Sequence, residues 1–371
     1  MTHHILYIAG AFVVSMVCGF LSIPMILSFC KEKNLYDIPN SRKVHTSAVP
    51  RLGGVSFMPS MMLAFAIAAL VMAASSSQQP ISVSLWSAHF IVSFLLMYGV
   101  GLVDDLIGLN APIKFTMQIL AAGIIVVAGL YINNLYGLWG IHEVSPLWGY
   151  PLTIFIMVFI MNAINLIDGI DGLAASLSFL ALGGFLIIFL REQINVYCIL
   201  IAGMMGVLVP YFYFNVFGKS DKNRKIFMGD SGSLTLGLIL GFLFVKFAMY
   251  NPYVAAFHLD GLLLPYTLLI VPVFDVARVI CVRLRHRRPL FMADKNHIHH
   301  KLMQSGLTQH KALVAIIAIA LAYIVLNLLL FHLVSVDAIV GIDIAIYIAI
   351  HQMINLAIKK KGASDAQNDV V

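Results

Sequence analysis

The sequence predicts an all-α integral membrane fold, a polytopic bundle of about eleven transmembrane helices with an active site at its cytoplasmic face. Three observations predict it. Hydrophobic residues make up 61% of the 371 and charged residues 11%, against roughly 25% charged in a soluble domain. Apolar stretches of spanning length recur along the whole chain. Lys and Arg gather on one side of those stretches.

A spanning helix needs about 20 mostly apolar residues. The first such stretch, Ile5 to Phe29, carries no charge, lacks a basic leader and exceeds the apolar core of a cleaved signal. Others follow at Leu52 to Ala74, Trp86 to Val103, Pro112 to Leu130, Pro151 to Ile167 and Leu173 to Leu190. The rest are Val196 to Phe214, Leu234 to Phe247, Leu262 to Cys281, Leu313 to Val334 and Ala338 to Ile358. Barrel strands would be half as long and would alternate polar with apolar residues, so the spans are helical.

Counting loops alternately places Lys31, Lys33, Arg42, Lys43, Arg51, Lys114, Lys219, Lys222, Arg224 and Lys225 on one side. Arg283, Arg285, Arg287, Arg288, Lys295, Lys301, Lys311 and Lys359 to Lys361 join them, while the opposite loops hold essentially Arg191. Cytoplasmic loops carry the excess of such residues. The N-terminus is therefore expected outside and the C-terminus in the cytoplasm. The net charge of +6 follows from this topology and suits anionic lipid, which leaves no call for a nucleic-acid partner.

Residues 1–361 are expected to form a single transmembrane domain and 362–371 a disordered cytoplasmic tail. Asn133 to Tyr150, with Tyr136, Trp139, Trp148 and Tyr150, reads as an outer loop at the aromatic belt. Cys18, Cys30, Cys198 and Cys281 lack paired spacing and read as inert buried thiols. Pro265 and Pro272 predict a bend in the ninth span, shortly before Asp275 and Arg278.

Candidate chemistry gathers at the cytoplasmic helix ends: Asp104, Asp105, Asp168, Asp171, Asp230 and Asp275 all fall there. A single acid at such a place is usually an ordinary solvated loop charge. Six on one face, among asparagines, glycines and histidines, point to function. Asn162, Asn165, Asp168 and Asp171 step by three off the fifth span, with Gly169 and Gly172 freeing the backbone beside them. Helix capping would explain one Asn and one Asp, not four polar side chains in register. The segment Lys225 to Ser233 puts Asp230 among small residues at a helix start, where backbone amides favour a phosphate or metal phosphate.

His297, His299 and His300 follow the basic run Arg283 to Arg288. They lack the spacing of a zinc site, so phosphate binding is the better reading, against that of a plain polar loop. Pro39, Asn40, Arg42, Lys43, His45, Pro50, Arg51, Gly53 and Gly54 form a cationic loop with rigid turns, suited to an anion site. A positive-inside loop would need the cations alone.

With these residues assembled, the chain resembles the polyprenyl-phosphate N-acetylhexosamine-1-phosphate transferases, the membrane family of the WecA, TagO and MraY type. The likeness runs from about Lys33 to about Leu307 through five segments in family order: Pro39 to Gly54, Gly101 to Lys114, Asn162 to Gly172, Asn215 to Gly232 and His297 to His300. The His-Ile-His-His string resembles the WecA/TagO branch. The resemblance implies transfer of a sugar 1-phosphate, N-acetylglucosamine by default, from a UDP-sugar to undecaprenyl or another polyprenyl phosphate, with release of UMP. Such a product starts lipid-linked envelope polysaccharide synthesis, of lipopolysaccharide O-antigen or teichoic acid, at a bacterial inner membrane.

The resemblance also implies Mg²⁺, replaceable by Mn²⁺, with Asp230 as metal ligand. It makes Asp104 or Asp105 the base that deprotonates the acceptor phosphate, a covalent route through an aspartate being the alternative. Lys114 would neutralise phosphate charge, and Asn165, Asp168 and Asn215 would complete the polar pocket. Asp171 and Phe227 match positions that hold uracil. His297, His299, His300 and Arg278 would face the pyrophosphate or sugar. The partners implied are a UDP-N-acetylhexosamine, polyprenyl phosphate and the bilayer, with a homodimer as a further assembly. A UbiA-type prenyltransferase would need Asp-rich repeats of other spacing and no histidine cluster. A secondary transporter would place its acids near the midplane in broken helices.

Overall fold

In a computed structural model, the chain is described over residues 2–37, 48–75, 85–220, 224–251, 259–289 and 296–368. The cationic loop residues Pro39, Asn40, Arg42, Lys43 and His45 lie outside these. The protein is a helical bundle, and nine described helices are long and apolar enough to cross a membrane. It is thus a multi-pass membrane protein. Seven of them are α1 (Thr2–Lys33), α2 (Phe57–Ser75), α3 (Leu85–Ile107), α5 (Pro146–Ile167), α6 (Leu173–Arg191), α7 (Asn195–Phe212) and α8 (Gly229–Ala248). The last two are α12 (Gln309–Leu330) and α13 (Val336–Asn368).

The other two of the eleven expected spans are shorter helices. α4 (Ala111–Val127) opens on Pro112 in its first turn and ends before the ordered segment that precedes α5. The ninth span is broken into α9 (Leu263–Leu268) and α10 (Ile270–Arg285), with Leu269 leaving helical geometry at φ −113°, ψ 8°. Pro265 and Pro272 each occupy the third position of their helix, where the missing N–H leaves no interior bond unmade. The bend expected from the prolines is a full break. A short helix, α11 (Ile298–Gln304), carries the histidines.

α8 lies at the centre, enclosed on nearly all sides, and is apolar all round except at its start and at the buried Lys246 of its last turn, whose ammonium stands over the Trp86 ring. Its small residues face α5 in an antiparallel ladder. Ser233 meets Asn165, a Cβ on Gly237 would stand 2.6 Å from the Met161 Cα, and one on Gly241 would stand 3.5 Å from the Met157 Cα. Each contact is four residues from the next on both helices, so the two backbones approach over residues 157–165 and 233–241. α3 packs antiparallel on another side of α8, through Gly101 against Ser231 at one end and Phe90 against Phe242 at the other. α1 lies at the periphery and packs in parallel on the more enclosed α7.

Three expectations change. α5 begins at Pro146, so Trp148 and Tyr150 belong to a helix and the outer segment ends earlier than Tyr150. That segment is well tied, with the Asn133 side chain bonded in both directions to the Tyr250 backbone and the Tyr136 hydroxyl donating to the Ala248 carbonyl. α13 continues to Asn368, into the 362–371 stretch expected to be disordered. Cys30 and Cys198 are buried, whereas Cys281 is exposed and Cys18 half-buried.

Candidate active site

The backbone converges at one end of the bundle because glycines let it. Residues 50–54 run beside 226–228: Gly53 and Gly54 donate to the carbonyls of Phe227 and Met228, and Phe227 donates to that of Pro50, at 2.7–2.9 Å. A Cβ on Gly54 would stand 2.1 Å from the Gly232 backbone, and one on Gly101 would stand 2.5 Å from the Ser231 Cα. Gly229 adopts φ +72°, a left-handed geometry that suits glycine, and turns the chain into α8. Together these contacts bring the ends of α2, α3 and α8 to one place.

Asp105 seals the junction. Its two carboxylate oxygens accept from the backbone amides of Asp230 and Ser231, at 2.8 and 2.9 Å, so it caps the first turn of α8. The Arg51 Nε donates to the Asp105 carbonyl at 2.9 Å. Asp104, its neighbour, faces the other way. Its Oδ1 accepts from the Leu109 amide at 2.6 Å and its Oδ2 from the Lys114 ammonium at 3.2 Å. Lys114 in turn donates to Asp230 Oδ2 at 2.7 Å, and the Asn165 amide donates to Asp230 Oδ1 at 2.9 Å and to the Ser233 hydroxyl at 2.9 Å. Four helices thus contribute Asp104, Lys114, Asn165 and Asp230 to one contact network.

Asp168 ends α5 beside this network and accepts no hydrogen bond from a described residue. Burial, with Asp230, Asp171 and Asp105 adding repulsion, pushes its carboxyl up to about 7. Asp171 pairs with Lys225. Asn215 lies in the π-helical turn Tyr213–Phe217, a distortion often found at functional sites. Its side chain accepts from the Gly172 amide at 2.6 Å and donates to the Ile226 carbonyl at 2.8 Å. Asn215 therefore ties the 168–172 loop to the 226–228 segment that carries Phe227.

The histidines form a second cluster around one buried carboxylate. Asp275 accepts from His297 Nδ1 at 2.7 Å, from the Ile298 amide at 2.9 Å and from Arg278 at 3.3 Å. His297 and His299 stack with their planes 7° apart, and the His300 ring lies 4.2 Å from that of His299. His299 is 1% exposed, and neither ring nitrogen has a hydrogen-bond partner among the described residues. Burial, then His300, pulls it down to about 3, so it is neutral. It fills the space over Gly169, where a Cβ would stand 2.1 Å from its Nε2. Gly169 thus makes room for a histidine as well as for a turn, and the contact joins the two clusters.

The site residues read from the sequence, Asp104, Asp105, Lys114, Asn165, Asp168, Asp171, Asn215, Phe227, Asp230, Arg278, His297, His299 and His300, lie in one cluster, in the other or on the segments between, whereas Asn162 stands apart and pairs with Gln118. Sequence reasoning gave no role to Ser233, to Lys225 or to Gln118, which exchanges hydrogen bonds with Asn162. Ser233 stands three residues after Asp230, one helical turn away, which was the available signal.

A profile of Glycosyl transferase family 4 matches residues 86–248, which hold Asp104, Lys114, Asn165 and Asp230. A Bacillus subtilis protein named a probable undecaprenyl-phosphate N-acetylglucosaminyl 1-phosphate transferase is 31% identical over 85% of this chain and 83% of its own. The undecaprenyl-phosphate alpha-N-acetylglucosaminyl 1-phosphate transferase of Escherichia coli K12 is 28% identical over 80% of this chain and 78% of its own. The decaprenyl-phosphate N-acetylglucosaminephosphotransferase of Mycobacterium tuberculosis is 32% identical over 75% and 71%. With the likeness extending over most of both chains and through the helices that build the site, this protein belongs to the polyprenyl-phosphate N-acetylhexosamine-1-phosphate transferase family.

Proposed function

We propose that the protein transfers N-acetylglucosamine 1-phosphate from UDP-N-acetylglucosamine to polyprenyl phosphate, in a bacterial cytoplasmic membrane, as the first step of a lipid-linked envelope polysaccharide. The observation that carries this reading is the network joining Asp104, Lys114, Asn165 and Asp230, with Asp168, which accepts from no described residue, beside it. An oxygen of the acceptor phosphate attacks the sugar-bearing phosphorus of the donor, the bond to the uridylyl oxygen breaks, and UMP leaves. Such a transfer needs little covalent help from a protein; it needs positioning and charge neutralisation.

The residues fit Mg²⁺. Mg²⁺ binds through one or two carboxylates plus substrate phosphates rather than a full protein cage, and among the described residues no group of three ligating side chains stands ready. Among the described residues the acids nevertheless outnumber the cations, and none of those residues donates to Asp168. Asp230, half-buried and fixed at the start of α8, is the proposed ligand. Bound there, the ion would neutralise phosphate charge as the bond to UMP breaks.

Lys114 reaches both Asp104 and Asp230 and is placed to follow phosphate charge between them. Asp104 is the better proposed base, because one of its oxygens is held by the Lys114 side chain, which a substrate phosphate can draw away, whereas both oxygens of Asp105 are held by backbone amides of α8. Asp171 and Phe227 are proposed to border the uracil, and the histidine helix the sugar and its phosphate. The side bearing the site is taken as cytoplasmic from the Lys and Arg asymmetry, which puts the N-terminus outside. The test incubates purified protein with labelled UDP-N-acetylglucosamine, polyprenyl phosphate and Mg²⁺. Labelled lipid and equimolar UMP are expected; their absence across a panel of UDP-sugars would sink the reading.

A further inference from the structure

α13 carries Asp343, Tyr347, His351 and Asn355 at a spacing of four, so they stand in a row on one helical face. A polar row costs free energy in a spanning helix and calls for partners. It has them in four elements. Asp343 is fully buried and accepts from the Tyr266 hydroxyl of α9 at 3.0 Å and the Asn327 amide of α12 at 2.9 Å. The Tyr347 hydroxyl donates to Asp275 of α10 at 3.4 Å, and its ring meets Phe274 edge-on. Lys301 of α11 donates to Asn355 at 2.9 Å. His351 lies between, 5% exposed, with its Nδ1 3.2 Å from the Tyr347 carbonyl oxygen.

Two of these contacts grip the histidine helix. Asp275 holds the His297 ring and the Ile298 amide, so Tyr347 acts on the start of α11 through that carboxylate. Asn355 takes hold of Lys301, one turn further on. The rest of α13 is largely exposed. Packing alone therefore constrains its rotation weakly, and directional bonds fix which face it presents.

We propose that Tyr347 and Asn355 are positioning residues that set the histidine helix against the 168–172 loop and so shape the binding of the donor's sugar phosphate. This rests on the reading of that helix as donor-facing. The test compares Tyr347→Phe/Asn355→Leu with Tyr347→Phe/Asn355→Asp, which keeps an acceptor for Lys301, and with Ile348→Ala, an exposed apolar change on the same helix. Hydrogen exchange in residues 298–304 is expected to quicken about 3- to 10-fold in the first variant, the cost of one or two hydrogen bonds, with the start of α8 unchanged. The KM for UDP-sugar is expected to rise by a similar factor and that for polyprenyl phosphate to stay level, with partial recovery in the Asp variant and no change in Ile348→Ala. A purely structural role would lower the active fraction and leave both KM values alone. Unchanged exchange, or an unchanged donor KM, overturns the proposal. A wild-type protein inactive on every UDP-sugar would overturn the reading beneath it, and exchange would still decide whether α13 positions α11.

Discussion

The two clusters at the site end of the bundle are built in opposite ways. Around the start of α8, carboxylates are in excess among the described residues: Asp104, Asp105, Asp168, Asp171 and Asp230 face Arg51, Lys114 and Lys225. Around Asp275 the excess is of basic groups, with Arg278, His297, His299, His300 and Lys301 near one acid. In the first, Asp168 accepts from no described residue; in the second, a single carboxylate is fully engaged and the neutral His299 packs as a wedge. An acid-rich pocket suits a cation and a base-rich one an anion. A metal-bound pyrophosphate presents both charges, so the proposed donor would bridge the clusters, which meet where His299 covers Gly169.

The largest expected effect follows from removing the charge on Asp230. Asp230→Asn should lower turnover by about 10³-fold or more and weaken Mg²⁺-dependent nucleotide binding. Calorimetry on folded protein that finds nucleotide affinity intact would break the assignment of the cation to the acid-rich cluster.

Asp105 sharpens the comparison, since it belongs to that cluster by charge yet serves it through backbone. Asp105→Asn should lower turnover by roughly 10- to 100-fold and reduce nucleotide affinity in parallel, because a loosened α8 cap displaces Asp230. A loss of about 10²- to 10⁴-fold with nucleotide affinity retained would instead mark Asp105 as the base.

Gly169→Ala tests the joint. His299 must give way by more than an ångström, so the donor KM should rise about 3- to 30-fold while the KM for polyprenyl phosphate changes little. Equal changes in both would show that the joint does not separate the two substrates.

The smallest effect is on stability. The Asp168 carboxyl is raised to about 7 in the folded protein, above the roughly 3.9 of an unfolded chain. Its contribution is therefore present in full at low pH and is lost as pH rises through about 7. Metal-free protein should melt at a lower temperature at pH 8 than at pH 5.5, and Mg²⁺ should restore more at the higher pH. Asp168→Asn should flatten both differences. A melting temperature insensitive to Mg²⁺ at pH 8 would argue that no cation is missing from the cluster.

The spans were legible because twenty apolar residues leave lipid-exposed backbone few choices, and the polar helix ends because charge cannot hide within them. Asp104, Asp230 and Asn165 stood out for that reason. The division of labour between Asp104 and Asp105 was not legible: adjacent acids on a helix point in different directions, and which one meets the α8 amides depends on Gly101 and Gly54 admitting α8. The role of Gly169 was hidden likewise, since the residue that needs its space comes 130 positions later. The stripe on α13 was visible as a period of four in an apolar run, but a span with four polar residues still reads as a span.

An acid mounted on the most enclosed helix in the protein cannot travel. α8 is held against α5 over residues 233–241 and against α3 at both ends, so Asp230 is a fixed point, whereas Lys114 rides on the short α4, His299 and His300 on the seven-residue α11 and His297 at its N-cap. Any motion that admits a long-chain lipid and releases a nucleotide is therefore expected in those shorter pieces rather than in α8. The pace of turnover would then follow membrane fluidity and product egress more closely than the bond-breaking step.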